Sequence, residues 1–197
     1  MYIFITNPNA RSGLGHKIWD DIETVLKKRG VTYQVYFTKY QQHATKIVRQ
    51  ITSDHERHNI IVLGGDGTVN EVINGIDCLA NVTLGYIPIG SSNDFARGLG
   101  LPADPLKALE NILAPVRHLA INIGVLEYGD KRRRFSVSTG LGFDAGVCHE
   151  VMVSRLKVFL NKIKLGKLSY AGVALHRMIS LDPKDMTVIM DGTRKLD

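Results

Sequence analysis

Hydrophobic and polar positions along the first half of the chain switch repeatedly between two rhythms. Tyr2 to Thr6 is a short apolar run of β type, and after the polar stretch Asn7 to Gly13 comes a helical stripe of Leu14, Ile18, Ile22, Val25 and Leu26, which Gly30 ends. Val31, Tyr33, Val35 and Phe37 then alternate with polar neighbours, as a strand with one buried face does, and His43 to Ile51 reads as a second helix. Ile60 to Leu63 is apolar throughout, the pattern of a central parallel strand covered on both faces. Val69, Val72, Ile73 and Ile76 follow at helical spacing, Leu84 to Ile89 is a further strand, Ser92 to Leu99 a short helix, and Pro105 to Leu113 a helix with Asp104 as its cap. The strand, helix, strand order predicts right-handed crossovers and an α/β fold with a doubly wound, mostly parallel sheet. Ligands on such sheets bind beyond the carboxyl ends of the strands, where the loops after Leu63 and Ile89 both fall.

From about His118 the pattern changes. Ala120 to Tyr128 and Phe135 to Thr139 predict two antiparallel strands joined by Gly129-Asp130-Lys131-Arg132. Val151 to Leu165 and Leu168 to Ile179 are helical and basic, Met186 to Met190 is strand-like, and Asp191-Gly192 marks a hairpin turn with five residues after it. The expected organisation is an α/β domain over residues 1–118 and, over 119–197, the incomplete start of a second domain. The half-built hairpin suggests a piece of a longer protein.

Composition narrows the function classes. No apolar run approaches the roughly 20 residues of a membrane span, and Tyr2 to Thr6 lacks the flanks of a secretion signal, so a soluble cytoplasmic protein is expected. Cys78 and Cys148 have no metal-like spacing and read as reduced core thiols, and the seven histidines show no paired metal spacing either. Twenty-five basic against 19 acidic residues give a net charge of +6, which favours anionic partners. Nucleic acid is not among those expected, because the basic residues lack the interleaved aromatics of a stacking platform.

The chemistry concentrates in Gly64-Gly65-Asp66-Gly67-Thr68, between a buried strand and a helix. Glycines there let backbone N–H groups at the helix start approach an anion closely, a phosphate-binding geometry; an ordinary turn with Asp66 as N-cap is the alternative. A carboxylate beside a polyphosphate is repelled unless a cation intervenes or it faces a sugar hydroxyl, so Asp66 suggests Mg²⁺. The loop has neither the lysine of a P-loop nor the G-x-G-x-x-G of a dinucleotide fold. A second loop, Pro88 to Arg97, has the same strand, glycine, helix layout, with Gly90, hydroxyls at Ser91 and Ser92, and Asn93 and Asp94 following. The Asn7 to Gly13 loop adds a third polar turn.

The set NPNARSG, GGDGTVNEVINGI, IPIGSSNDFARGLGLP and STGLGFDAGV resembles the diacylglycerol kinase catalytic family, in particular its soluble bacterial lipid kinases, relatives of NAD kinases and sphingosine kinases. The resemblance implies an α/β nucleotide-binding domain followed by a β-sandwich domain, with ATP and Mg²⁺ as cofactors and a lipid such as diacylglycerol as acceptor. Gly65, Asp66, Gly67, Thr68, Val69, Asn70 and Glu71 match the nucleotide motif, with Gly64 before it; Asn7 and Thr38 match the family's first-loop asparagine and ATP-site threonine. In the second loop Gly90, Ser91 and Asn93 complete the candidate set, Ser91 standing where bacterial members usually carry threonine. The family's metal-associated acids and general base are expected beyond Asp197, so no catalytic or metal-binding residue is assigned here, and Asp191-Gly192 is not the base-bearing segment.

Lys131 to Arg134 are expected at a hairpin tip, as a solvated turn or as a contact for anionic lipid headgroups at the inner membrane face. Arg155, Lys157, Lys162, Lys164 and Lys167 interleave with apolar residues, which suits a helix packing on a further domain or one lying on a membrane. Trp19 and Tyr33 read as packing residues, and a homodimer stays open. The other function classes are an NAD kinase-like phosphotransferase and a non-catalytic nucleotide-binding module.

Overall fold

The computed structural model describes residues 1–140, 145–146, 187–190 and 194–196. Two compact units result, Met1–Ser138 and Thr139–Asp197, the division falling downstream of residue 118. The first unit is the expected α/β layer structure. Strands β1 (Tyr2–Thr6), β2 (Tyr33–Phe37), β3 (His58–Gly64) and β4 (Val82–Pro88) form one sheet in the order β2-β1-β3-β4, with every pairing parallel. Helices α1 (Ala10–Gly13), α2 (Gly15–Lys28), α3 (His43–Thr52), α4 (Asp66–Gly75), α5 (Asp94–Gly98) and α6 (Pro105–Leu113) make the crossovers or follow the last strand.

Alternation along the strands divides the core in two. Ile3, Ile5, Ile60, Val62 and Tyr86 face one side and pack with Ala44 and Val48 of α3, Val69, Val72 and Ile73 of α4, and Phe95 of α5. Phe4, Ile61, Leu63 and Ile87 face the other and pack with Trp19, Ile22 and Leu26 of α2 and Ala108 and Leu109 of α6. Burial on both faces is why Ile60 to Leu63 carries no polar position. Trp19 lies at the centre of an aromatic group, with ring centroids 5.2 Å from Phe4, 5.8 Å from Tyr33 and 6.0 Å from Phe37. The Asp104 carboxylate accepts the Lys107 amide at 2.9 Å, capping α6 as expected. Gly30, at φ 64°, ends α2, with the Val31 amide returning to the Leu26 carbonyl at 3.0 Å.

The hairpin after the sheet differs from the sequence expectation. Its strands are β5 (Gly124–Tyr128) and β6 (Lys131–Phe135), so the turn is only Gly129-Asp130, with Gly129 at φ 57°. The basic cluster therefore lies along β6 and not at a tip. A single glycine able to adopt the left-handed region closes the turn in two residues, which pulls Lys131 and Arg132 into the ladder opposite Tyr128 and Glu127. Arg134 docks the hairpin on α4: its backbone N–H donates to Asn74 Oδ1 at 2.8 Å, and its carbonyl accepts from Asn74 Nδ2 at 2.9 Å and Asn70 Nδ2 at 3.2 Å. The Arg134 guanidinium donates to the carbonyls of Ile73 and Ile76, satisfying groups that the end of a helix leaves open.

Cys78 is exposed, against the expectation of a core thiol, because it sits in the turn between α4 and a short 3₁₀ segment, Leu79–Asn81. In the second unit β7 (Val188–Met190) pairs antiparallel with β8 (Arg194–Leu196). The two basic helices expected over 151–165 and 168–179, the Asp191-Gly192 turn, Cys148 and half of STGLGFDAGV lie outside the described residues. Among the described residues no helix is long and apolar enough to cross a membrane.

Helices α3 and α4 approach so closely that a Cβ added at Gly75 would sit 2.6 Å from the Thr45 carbonyl oxygen and 2.9 Å from Val48 Cβ. Backbone cannot yield as a side-chain tip can. Gly75→Ala is expected to destabilise the fold by about 1–3 kcal/mol, read as a lower urea midpoint at unchanged m-value.

Candidate functional site

Because the four strands run parallel, the segments leaving their carboxyl ends meet at one edge. The ladder continues into them: the Asn7 amide donates to the Leu63 carbonyl, Thr38 to Thr6 and Ile89 to Gly64, each at 2.9 Å. The structure thus brings together Asn7, Thr38, Gly64 to Thr68 and Gly90 to Asn93 at this edge.

At its centre two backbones touch. A Cβ at Gly90 would lie 2.6 Å from Gly65 Cα, and one at Gly65 would lie 3.1 Å from Gly90 Cα. Neither glycine has positive φ, so what both positions exclude is a side chain between the loops, and not an unusual conformation. Asn93, at φ 52°, braces the second loop by turning its carboxamide back: Oδ1 accepts the Gly90 amide at 2.8 Å and Nδ2 donates to the Gly90 carbonyl at 3.1 Å. The Tyr86 hydroxyl donates to the same Oδ1 at 3.3 Å. Burial, and then the charges of Asp66 and Asp94, push the Tyr86 phenol far above its ordinary range, so it stays a donor.

Asp66, the first residue of α4, does not cap its own helix. Its Oδ2 accepts the Asp94 amide at 3.0 Å and its Oδ1 the Phe95 amide at 3.1 Å. Each oxygen of the carboxylate beside which the sequence suggested a cation thus accepts one backbone N–H. Among the described residues no group of three or more His, Cys, Asp or Glu side chains gathers around a common point.

Helix α4, in contrast, starts uncapped. Gly65 is its N-cap residue in extended conformation with no side-chain acceptor, and the Gly65 carbonyl takes the amides of Thr68 and Val69 at 2.9 and 3.1 Å. The amides of Asp66 and Gly67 have no acceptor within the helix. Gly67 is exposed, and a Cβ added there would meet nothing within 4 Å, so no side chain covers the helix start at that position. Uncapped N–H groups at the positive end of a helix, with no side chain in the way, are what an anion needs. The Thr68 hydroxyl beside them accepts Asn7 Nδ2 at 3.4 Å, and Asn7 Oδ1 accepts the Asn9 amide at 3.0 Å. Ser91 is exposed at the rim.

Three motif residues point elsewhere. Val69 is wholly buried in the core, Asn70 holds the β6 carbonyl described above, and Glu71 Oε2 accepts the Ala44 amide at 3.2 Å in the first turn of α3. They fix α4 to its neighbours. Sequence reasoning missed Asn74 and Arg134, since nothing local marks partners 60 residues apart, and it missed Tyr86, whose strand position reads only as core. A groove of about 950 Å³ lies beside the free edge of β4, lined by Leu84, Leu101, Ile112 and Leu119 among others, and by none of the glycine-loop residues.

The spacing at these glycines orders the effects of substitution. Gly90→Ala is expected to destabilise by about 1–3 kcal/mol, Gly65→Ala by less, and Gly67→Ala not at all, measured as denaturant midpoints on the three variants.

The chain is similar to known proteins of one family. The family description of the diacylglycerol kinase catalytic domain matches residues 1–124. A diacylglycerol kinase of Bacillus subtilis (strain 168) is 38% identical over 190 residues, covering 95% of this chain and 59% of its own length. One of Staphylococcus carnosus (strain TM300) is 30% identical over 190 residues, covering 95% and 58%. A crystal structure of a diacylglycerol kinase from Bacillus anthracis str. Sterne aligns at 36% identity and a TM-score of 0.49, covering 56% of this chain and 38% of that one. The chain spans about three fifths of the length of the curated relatives it matches. With the family's domain matched over more than half of its residues, the chain belongs to the diacylglycerol kinase catalytic domain family.

Proposed function

We propose that this chain carries the nucleotide-binding part of an ATP-dependent lipid kinase, which transfers the γ-phosphoryl group of ATP to the free hydroxyl of diacylglycerol or a related lipid. The observation that supports it best is the uncapped start of α4, where the amides of Asp66 and Gly67 have no acceptor within the helix and Gly67 is exposed, inside the residues that match the family. The polyphosphate sits on these donors, with Asn7, Thr38, Thr68 and Ser91 around it, and the positive end of the helix offsets its charge. Mg²⁺ bound with the nucleotide would supply charge neutralisation at the transferring phosphoryl group. In the transfer the γ-phosphorus changes its bond from the β,γ-bridging oxygen to the lipid hydroxyl oxygen, ADP departs, and the hydroxyl proton goes to a base outside the described residues. This chain alone is expected to bind nucleotide weakly and to turn over poorly.

An NAD kinase-like activity would use the loop acid on a ribose hydroxyl. The two amides on Asp66 count against that use. A cytoplasmic protein that meets its lipid at the inner membrane face suits the reading. The basic cluster contributes less to such contact than its sequence suggests, since Arg134 is held by α4 and Arg132 pairs with Glu127 at 3.1 Å, which leaves Lys131 and Arg133 on the exposed hairpin.

Titration calorimetry of Mg-ATP on the wild type and on Gly67→Ala tests the proposal. Since the added methyl group meets no protein atom, the variant is expected to keep its unfolding temperature while ATP affinity falls about ten-fold or more. Equal affinity in both proteins would remove α4 as the phosphate site. With the longer protein, phosphate transfer to diacylglycerol and none to NAD is expected; the reverse would select the NAD kinase reading.

A further inference from the structure

We propose that Asp66 is a positioning residue, whose carboxylate holds the second glycine loop against the first by capping α5, in place of holding a cation or a substrate hydroxyl. Its two oxygens engage consecutive amides, Asp94 at 3.0 Å and Phe95 at 3.1 Å, on a helix 28 and 29 residues further along the chain. A pair of charge-assisted bonds to fixed backbone sets both the distance and the direction of the loop.

The residue that local rules would assign to this task is Asn93, the N-cap residue of α5, and it is committed elsewhere. Its backbone is left-handed, its carboxamide is spent on both polar groups of Gly90, and it makes no capping bond to α5. The start of α5 is therefore supplied by the other loop. The contacts form a closed circuit: Gly65 touches Gly90, Gly90 is held by Asn93, Asn93 leads into α5, and α5 is held by Asp66, the neighbour of Gly65. Breaking the circuit at Asp66 leaves the two backbones in contact with nothing to fix their angle. Both amides that lie free at the start of α4 flank this circuit, and one of them is the amide of Asp66 itself. The clamp thereby sets the shape of the donor cradle without consuming its donors. That last step rests on the nucleotide reading above; the clamp itself does not.

Two variants and two measurements separate the roles. Amide exchange followed by NMR reads the clamp without ligand: in the wild type the Asp94 and Phe95 amides are expected to exchange more slowly than those of exposed Ser91 and Ser92, and in Asp66→Asn and Asp66→Glu the protection falls about ten-fold. Asparagine offers one acceptor where two are needed, and glutamate keeps the charge but not the reach. ATP affinity, measured once with Mg²⁺ and once with EDTA, reads the function: a positioning residue weakens both by the same factor in both variants. The proposal is overturned if Asp94 and Phe95 are unprotected in the wild type or stay protected in Asp66→Asn, or if the affinity lost in Asp66→Asn is lost only with Mg²⁺ and is restored by glutamate. A wild type that binds no ATP defeats the nucleotide reading alone, and the exchange rates then decide the clamp.

Discussion

The close approach of two backbones, at Gly65 and Gly90, sets the geometry of the edge where the strands' carboxyl ends meet. They belong to loops that leave neighbouring parallel strands, and a methyl group on Gly90 would stand 2.6 Å from the opposite backbone. Because the contact is backbone to backbone, no rotamer change can relieve it. The loops either meet without side chains or sit further apart, and everything at the edge, from the start of α4 to the turn at Asn93, is placed relative to that meeting.

An account of the amides follows from it. The amides of α5 go to Asp66, that of Gly90 to Asn93, and that of Ala44, in α3, to Glu71. Those of Asp66 and Gly67 go to no protein acceptor within the helix. The motif's acids are thus spent on ordering neighbouring helices, and the positive end of α4 is left without a side-chain cap. A fold that satisfied this end with a serine or aspartate cap would gain about 1 kcal/mol and lose the site. The opposite end of α4 is closed by Arg134, so the helix is fixed at its carboxyl end and open at its amino end.

Much of this was legible in the sequence, for physical reasons that differ by element. The parallel sheet was readable because Ile60 to Leu63 is buried on both faces and the edge strand Tyr33–Phe37 alternates. The caps at Asp104 and Gly30 were readable because their rules are local. The glycine loops were readable as strand-to-helix turns gathered at one edge of the sheet, but the work of each residue within them was not. Asp66 looked like a local N-cap or a metal ligand, and it caps a helix in the other loop. Arg134 looked like one more cation in a basic turn, and it is a helix cap held by Asn74. Long-range hydrogen bonds leave no periodicity, which is why these roles needed coordinates.

The central claim is that the free amides at the start of α4 receive the phosphates. An amide NMR titration of the wild type with Mg-ATP addresses it directly. The account predicts that the Asp66 and Gly67 amides shift most and saturate with the binding curve, while Asp94 and Phe95 move little because their acceptor stays in place. Saturable binding that leaves Asp66 and Gly67 unmoved would contradict it.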